Sequence, residues 1–201
     1  MRAGRLEIAC WVAGATMMAV YGITRADAEL GRRLELARFE QSIAPDQTAW
    51  SQSRVRAYRE SLEEKAGPLL GSVTVPSVQL EVPLFGDTSE LHLNRGAGVI
   101  EGTAAPVGRG NLGIAGHRDG FFRVLKGVKA GDLIKVRTAD RLYTYQVSQI
   151  EIVESSDARL LAQTADAVVT LVTCYPFYFV GHAPQRFVVR GVLLSTQGRE
   201  T

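Results

Sequence analysis

Cysteine is almost absent: Cys10 and Cys174 are the only two in a chain of 201 residues. That count excludes a disulfide-rich scaffold, and no CxxC or clustered His/Cys spacing offers a zinc site. Neither sign of charge dominates. Twenty-three basic against 21 acidic side chains leave a formal net charge of +2, which argues against a function resting on a basic nucleic-acid surface. No internal period of about 20–50 residues is visible, which argues against a solenoid. No Gly-rich run is followed by Lys-Ser/Thr, and Gly108-Arg-Gly-Asn-Leu-Gly113 leads into an apolar run that reads as a strand, so a nucleotide site has no support. What is present is a hydrophobic fraction of 46% beside 22% charged residues, enough to bury a core. The 20 glycines and 7 prolines are scattered, as in a chain with many turns and strands.

The longest uncharged run, Ile8 to Thr24, lies near the amino terminus. Seventeen residues of helix span about 25 Å, a little short of the roughly 30 Å hydrocarbon core. Leu6 and the snorkelling side chains of Arg5 and Arg25 make up the difference. Arg2 and Arg5 precede the run, whereas Arg25 is followed by Asp27 and Glu29, so the positive-inside rule puts the amino terminus in the cytoplasm and the rest outside. Ala26-Asp27-Ala28 also has the form of a signal-peptide cleavage site. Anchor or signal peptide, both readings export the remainder, and export leaves Cys174 the lone thiol of the exported part. A lone thiol in an oxidising compartment is either a reactive group or a small buried hydrophobe.

Three segments are expected: an anchor over 1–25, a helical juxtamembrane arm over 26–68, and a β domain over 69–201. In the arm, Trp50, Val55, Tyr58 and Leu62 recur at helical spacing until Gly67-Pro68 ends the pattern. Beyond Leu69 the texture becomes short β-branched runs divided by Gly, Pro and Asp. Strands are predicted over Ser72–Val75, Val78–Pro83, Gly98–Ile100, Asn111–Gly116, Leu133–Arg137, Leu142–Val153, Val168–Thr173 and Phe187–Leu194. Phe121–Leu125 and Ala158–Leu161 read as single helical turns. About eight strands without long crossover helices predict a mainly β fold, a closed or nearly closed barrel.

Three residues border these strands. His117 follows Asn111–Gly116, Cys174 follows Val168–Thr173, and Arg186 precedes Phe187. The connection over 175–185 is too short for a helical crossover, so its flanking strands are expected antiparallel, with Arg186 beside Cys174. Sequence alone does not bring His117 there. The trio suits acyl transfer: a thiol nucleophile, an imidazole that moves its proton, and a guanidinium for the oxyanion. His92 and His182 are competing histidines, and Asp119 stands unassigned near His117.

Thr170-Leu-Val-Thr-Cys174 resembles the TLxTC motif of sortases. Tyr175-Pro-Phe-Tyr-Phe-Val-Gly181 and Ala183-Pro-Gln-Arg-Phe-Val-Val189 are similar to the class D branch and to Gram-negative sortases. Gly113-Ile-Ala-Gly-His-Arg-Asp-Gly-Phe-Phe122, with Leu93 to Thr103 before it, resembles the region carrying the family's histidine. The resemblance implies a membrane-anchored cysteine transpeptidase with an eight-stranded barrel. Cys174 then matches the nucleophile, His117 the general acid/base and Arg186 the substrate-orienting, oxyanion-stabilising arginine; Thr173 is expected to contact substrate or orient the site. No metal or other cofactor is expected, since the acidic calcium-binding pattern of some sortases is not recognisable. The implied partner is an exported protein bearing a carboxy-terminal LPxTG-like signal, cleaved after Thr and transferred to an amine acceptor that the sequence leaves open. The implied location is the cell membrane, with the catalytic domain on its extracytoplasmic side. A cysteine peptidase or amidase using water, and a non-enzymatic tethered binding protein, stand as alternatives.

Overall fold

A computed structural model describes residues 4, 11, 13–22, 45–105, 109–178 and 183–198. The chain divides into two compact units, Met1–Ala44 and Pro45–Thr201. In the first, residues 4, 11 and 13–22 are helical, with Trp11, Met17, Met18, Val20 and Tyr21 exposed. Among the described residues no helix is long and apolar enough to cross a membrane. The rest of the expected span over 8–24, and the arm over 26–44, lie outside the described residues.

The second unit is built on eight strands: β1 Leu69–Val75, β2 Leu80–Phe85, β3 Ala97–Val99, β4 Asn111–Ala115, β5 Leu133–Thr138, β6 Arg141–Glu154, β7 Val168–Tyr175 and β8 Gln185–Gly198. They close into a barrel in the order β1-β2-β3-β4-β7-β8-β6-β5. Alternation with period two fills the inside. Val73 and Val75, Val82 and Leu84, Ile134 and Val136, and Tyr143, Tyr145 and Val147 all point into one cluster. β7 departs from alternation because Val168, Val169, Thr170 and Leu171 are all buried. Such a run belongs to a strand covered on both faces, and β7 pairs in parallel with β4 on one side. Asn111 holds the β6–β7 connection against this pair: its Nδ2 donates to the carbonyls of Leu160 (2.7 Å) and Ala162 (3.2 Å), and its Oδ1 accepts from Thr170 Oγ1 (2.6 Å).

Two short helices sit on the barrel. Helix α1, Gln52–Glu63, is capped by Ser51, whose hydroxyl accepts from the Arg54 amide at 3.2 Å. Trp50 and Tyr58 pack edge-on against Phe121, with ring centroids 4.9 and 6.2 Å away. Its last carbonyls are taken by Arg95 of helix α2 (Glu90–Arg95), which donates to Ser61 O and Glu64 O, each at 2.9 Å. The segment around Val55 to Leu62 is therefore a docked part of the barrel unit. Leu62 stays exposed, so the apolar stripe is only partly used.

The strand reading differs in three places. β2 begins at Leu80 because Pro76–Val78 makes a 3-10 turn and Gln79 takes a left-handed conformation, φ 54°. Helix α2 was not foreseen, since six residues are too short to display a helical period. β7 runs on to Tyr175 and β8 starts at Gln185, so Cys174 and Arg186 lie on the strands rather than beyond them.

Candidate active site

Strand β7, which carries Cys174, is paired on both sides. On one side β8 runs antiparallel and puts Arg186 directly opposite Cys174. Directly paired residues share a face of the sheet, so the thiol and the root of the guanidinium stand on the same side. Thr173 and Phe187, one step back, are buried on the opposite, inner face. On the other side β4 runs parallel with β7 as far as Ala115 level with Val172, two residues before His117 and Cys174 respectively. The Gly116 amide donates to Val172 O at 3.2 Å, and Thr173 Oγ1 donates to Gly116 O at 2.7 Å, carrying the β4–β7 contact up to the histidine. The β4–β7 pairing is the link that the sequence lacked.

The turn after β4 aims the imidazole. His117 O accepts the amides of Gly120 and Phe122, both at 3.2 Å, which curls the chain into the 3-10 segment Phe121–Gly127. Gly116 is required by close approach: a Cβ there would lie 2.7 Å from the Phe122 ring. His117 is one-fifth exposed. Its Nε2 is shut off from solvent without a hydrogen bond, and Glu90 Oε1 lies 3.4 Å away, near enough for charge attraction but not aligned for a bond. Burial, helped by the Arg54 charge, pushes the imidazole below its ordinary pKa, while Glu90 and Asp119 pull the other way. The neutral ring is therefore favoured.

Arg186 has its Nη1 fixed by the carbonyls of Ala183 (3.1 Å) and Gln185 (3.0 Å) at the end of the β7–β8 connection. The start of that connection is tied to the histidine turn. Arg118 Nη1 donates to Pro176 O at 3.1 Å, and Lys126 Nζ donates to the Tyr178 hydroxyl at 2.6 Å. Cys174 is free and half-buried. A thiol, an imidazole and a guanidinium thus border one stretch of sheet, a set of groups able to attack a carbonyl, shuttle a proton and hold an oxyanion.

Comparison with known proteins shows the family. The Sortase domain family model matches residues 73–194. The chain belongs to the sortase family. Sortases are cysteine transpeptidases, and relatives of more than one class match the chain. Sortase D of Bacillus subtilis is 28% identical over 134 residues, 66% of this chain and 68% of that protein. Sortase A of Listeria monocytogenes is 32% identical over 133 residues, 64% of this chain but only 58% of that protein. The Listeria sortase A structure aligns with a TM-score of 0.61 at 29% identity, covering 67% of this chain and 92% of that one. A Clostridium perfringens sortase D5 transpeptidase aligns with a TM-score of 0.56 at 27% identity, covering 70% and 89%.

Within this sortase domain the other expected residues fall differently. Thr173 is 3% exposed and its Oγ1 donates to Gly116 O, which ties β7 to the histidine turn. His92 is a satisfied structural histidine. Its Nδ1 donates to Asp87 Oδ1 at 2.7 Å, its Nε2 accepts the Gly67 amide at 3.2 Å, and its ring stacks on Phe85 at 4.6 Å. Asp119 Oδ1 accepts from Arg54 Nε at 3.1 Å. His182 lies outside the described residues. Sequence reasoning missed Arg54, Glu90 and Arg118, because no local pattern marks a charge that acts across a tertiary contact. A cavity of about 390 Å³ lies along α1, lined by Trp50, Val55, Arg56 and Arg59 among others; none of the three chemical residues lines it.

Proposed function

We propose that this chain is an exported, membrane-tethered transpeptidase that cleaves an LPxTG-like carboxy-terminal signal of an exported protein after its Thr. The observation that carries the reading is the register of β7, which sets Cys174 opposite Arg186 on β8 while β4, the strand leading to His117, pairs beside it up to Val172. Cys174 Sγ attacks the Thr carbonyl carbon while neutral His117 accepts the thiol proton. Arg186 stabilises the oxyanion of the tetrahedral intermediate and orients the peptide. Collapse breaks the C–N bond, His117 returns its proton to the leaving amine, and a thioester to Cys174 is left. An amine then attacks the thioester, gives a proton to His117, and frees the thiol as the new amide forms. Thr173 keeps β7 and the histidine turn in register. The uncharged run from Ile8 to Thr24, with Arg2 and Arg5 before it, supports tethering with the barrel outside the cytoplasm.

Incubation of the full chain with LPxTG-like peptides, followed by intact-mass spectrometry, tests the reaction. The expected product is an acyl adduct on Cys174 that an added amine discharges as a new amide. An adduct discharged only by water would make the protein a peptidase. No adduct from folded protein across a broad peptide library, with Cys174 labelling no faster than a buried thiol, would leave a binding protein.

A further inference from the structure

We infer that Arg54, on the helix preceding the barrel, is a positioning residue for His117: bound to both Asn94 and Asp119, it holds the 117–120 turn and presents the positive charge that faces the imidazole. The inference rests on the reading of His117 as the acid/base. Arg54 Nε donates to Asp119 Oδ1 at 3.1 Å across 65 residues of sequence, and Nη1 donates to Asn94 Oδ1 on α2. Its side chain is only 14% exposed, and an arginine is seldom so covered unless its charge is paired and its position matters. Its stem touches the same turn. Arg54 Cδ lies 3.5 Å from where a Cβ on Gly120 would sit, and His117 Cβ lies 3.6 Å from that point. One guanidinium therefore joins α1, α2 and the turn that carries the imidazole.

The charges facing His117 come from several elements. Arg54 approaches from α1, Glu90 from α2 and Asp119 from the histidine's own turn, while Cys174 on β7 and Arg186 on β8 stand at the neighbouring register positions. Arg54 opposes protonation of the ring, and the two carboxylates favour it. Asp119 is bound to Arg54, so this pair holds the turn at little net charge, leaving Glu90 as the carboxylate 3.4 Å from Nε2. On this view α1 completes the acid/base environment and is more than a spacer between membrane and barrel.

The sign of the response tests this. In the full chain, the His117 ring signal is followed through a pH titration by NMR, assigned by its disappearance in His117→Gln. Arg54→Met is expected to move the titration midpoint up and to lower kcat/KM for an LPxTG-like peptide on the order of 10-fold to 100-fold. Glu90→Gln and Asp119→Asn are expected to move the midpoint down. Arg54→Lys, which keeps the charge without the two-pronged grip, should return the midpoint toward wild type and recover only part of the rate. A folded Arg54→Met whose midpoint stays at the wild-type value overturns the inference. If Arg54→Met does not fold, a midpoint in Asp119→Asn that is unmoved or rises does so. Failure of wild-type protein to acylate would sink the transpeptidase reading alone, because the midpoints are read without substrate.

Discussion

His92 and His117 are imidazoles on the same barrel unit, one within α2 and one beyond β4, and they are held in opposite ways. His92 has both nitrogens bonded, one to Asp87 and one to the Gly67 amide, and its ring lies flat on Phe85 with an interplanar angle of 1°. Every polar atom is used, so the ring fastens the chain entering β1 to the loop after β2. His117 is held by its backbone instead, through Gly116 and the two amides that bond its carbonyl, while Nε2 has no hydrogen bond. A satisfied polar group contributes stability; an unsatisfied one is free for another use, and the proposed mechanism gives it proton transfer. In the proposed mechanism the contrast separates a structural ring from a chemical one.

The largest effect should come from the chemical side. Cys174→Ala is expected to abolish the acyl adduct in the intact-mass assay, and His117→Ala to cut the acylation rate about 10²-fold to 10⁴-fold. His92→Phe, which keeps the stack and loses both hydrogen bonds, should leave that rate unchanged; an equal loss in both histidine variants would erase the contrast. Arg186→Lys should lose most of the activity, because an ammonium cannot reproduce a planar fork opposite Cys174. Near-normal turnover in that variant would remove Arg186 from the mechanism.

Stability effects come next. Gly116→Ala drives a methyl toward the Phe122 ring and should cost about 1–3 kcal/mol in chemical denaturation while also slowing acylation. An unchanged midpoint would show that the histidine turn is looser than its packing implies. His92→Phe should cost about 1–2 kcal/mol through its lost bonds. The smallest effect concerns Asp87, whose carboxyl is held down to about 2, chiefly by hydrogen bonds from Ser89 and also by His92. A depressed carboxylate contributes stability that is complete above the ordinary carboxyl pKa and is lost as pH falls toward about 2. The group is fully exposed, so only a slight extra acid sensitivity is expected, and Asp87→Asn should remove it from a pH series of thermal melts.

Much of the barrel was legible because its physics is local. Alternation in Val73–Val75 or Tyr143–Val147 reports a one-sided strand, and the unbroken Val168–Leu171 run reports a two-sided one. The short 175–185 connection was enough to pair Cys174 with Arg186. Boundaries slipped where a turn competes with a strand, as at Pro76–Val78, and where polar ends such as Cys174-Tyr175 and Gln185-Arg186 still ladder.

The chain's own order of residues determined the barrel's strands, the apolar amino-terminal run, the place of Cys174 beside its run of β-branched residues, and the turn-sized gap that returns Arg186 to it. Each follows from patterns a few residues long. Only the tertiary structure decided that β4 lies against β7, which brings the turn carrying His117 toward the end of β7 that carries Cys174, and that Arg54 and Glu90 act on the ring. Parallel pairing between strands more than fifty residues apart leaves no local trace, and electrostatic neighbourhoods are a property of space and burial rather than of spacing along the chain.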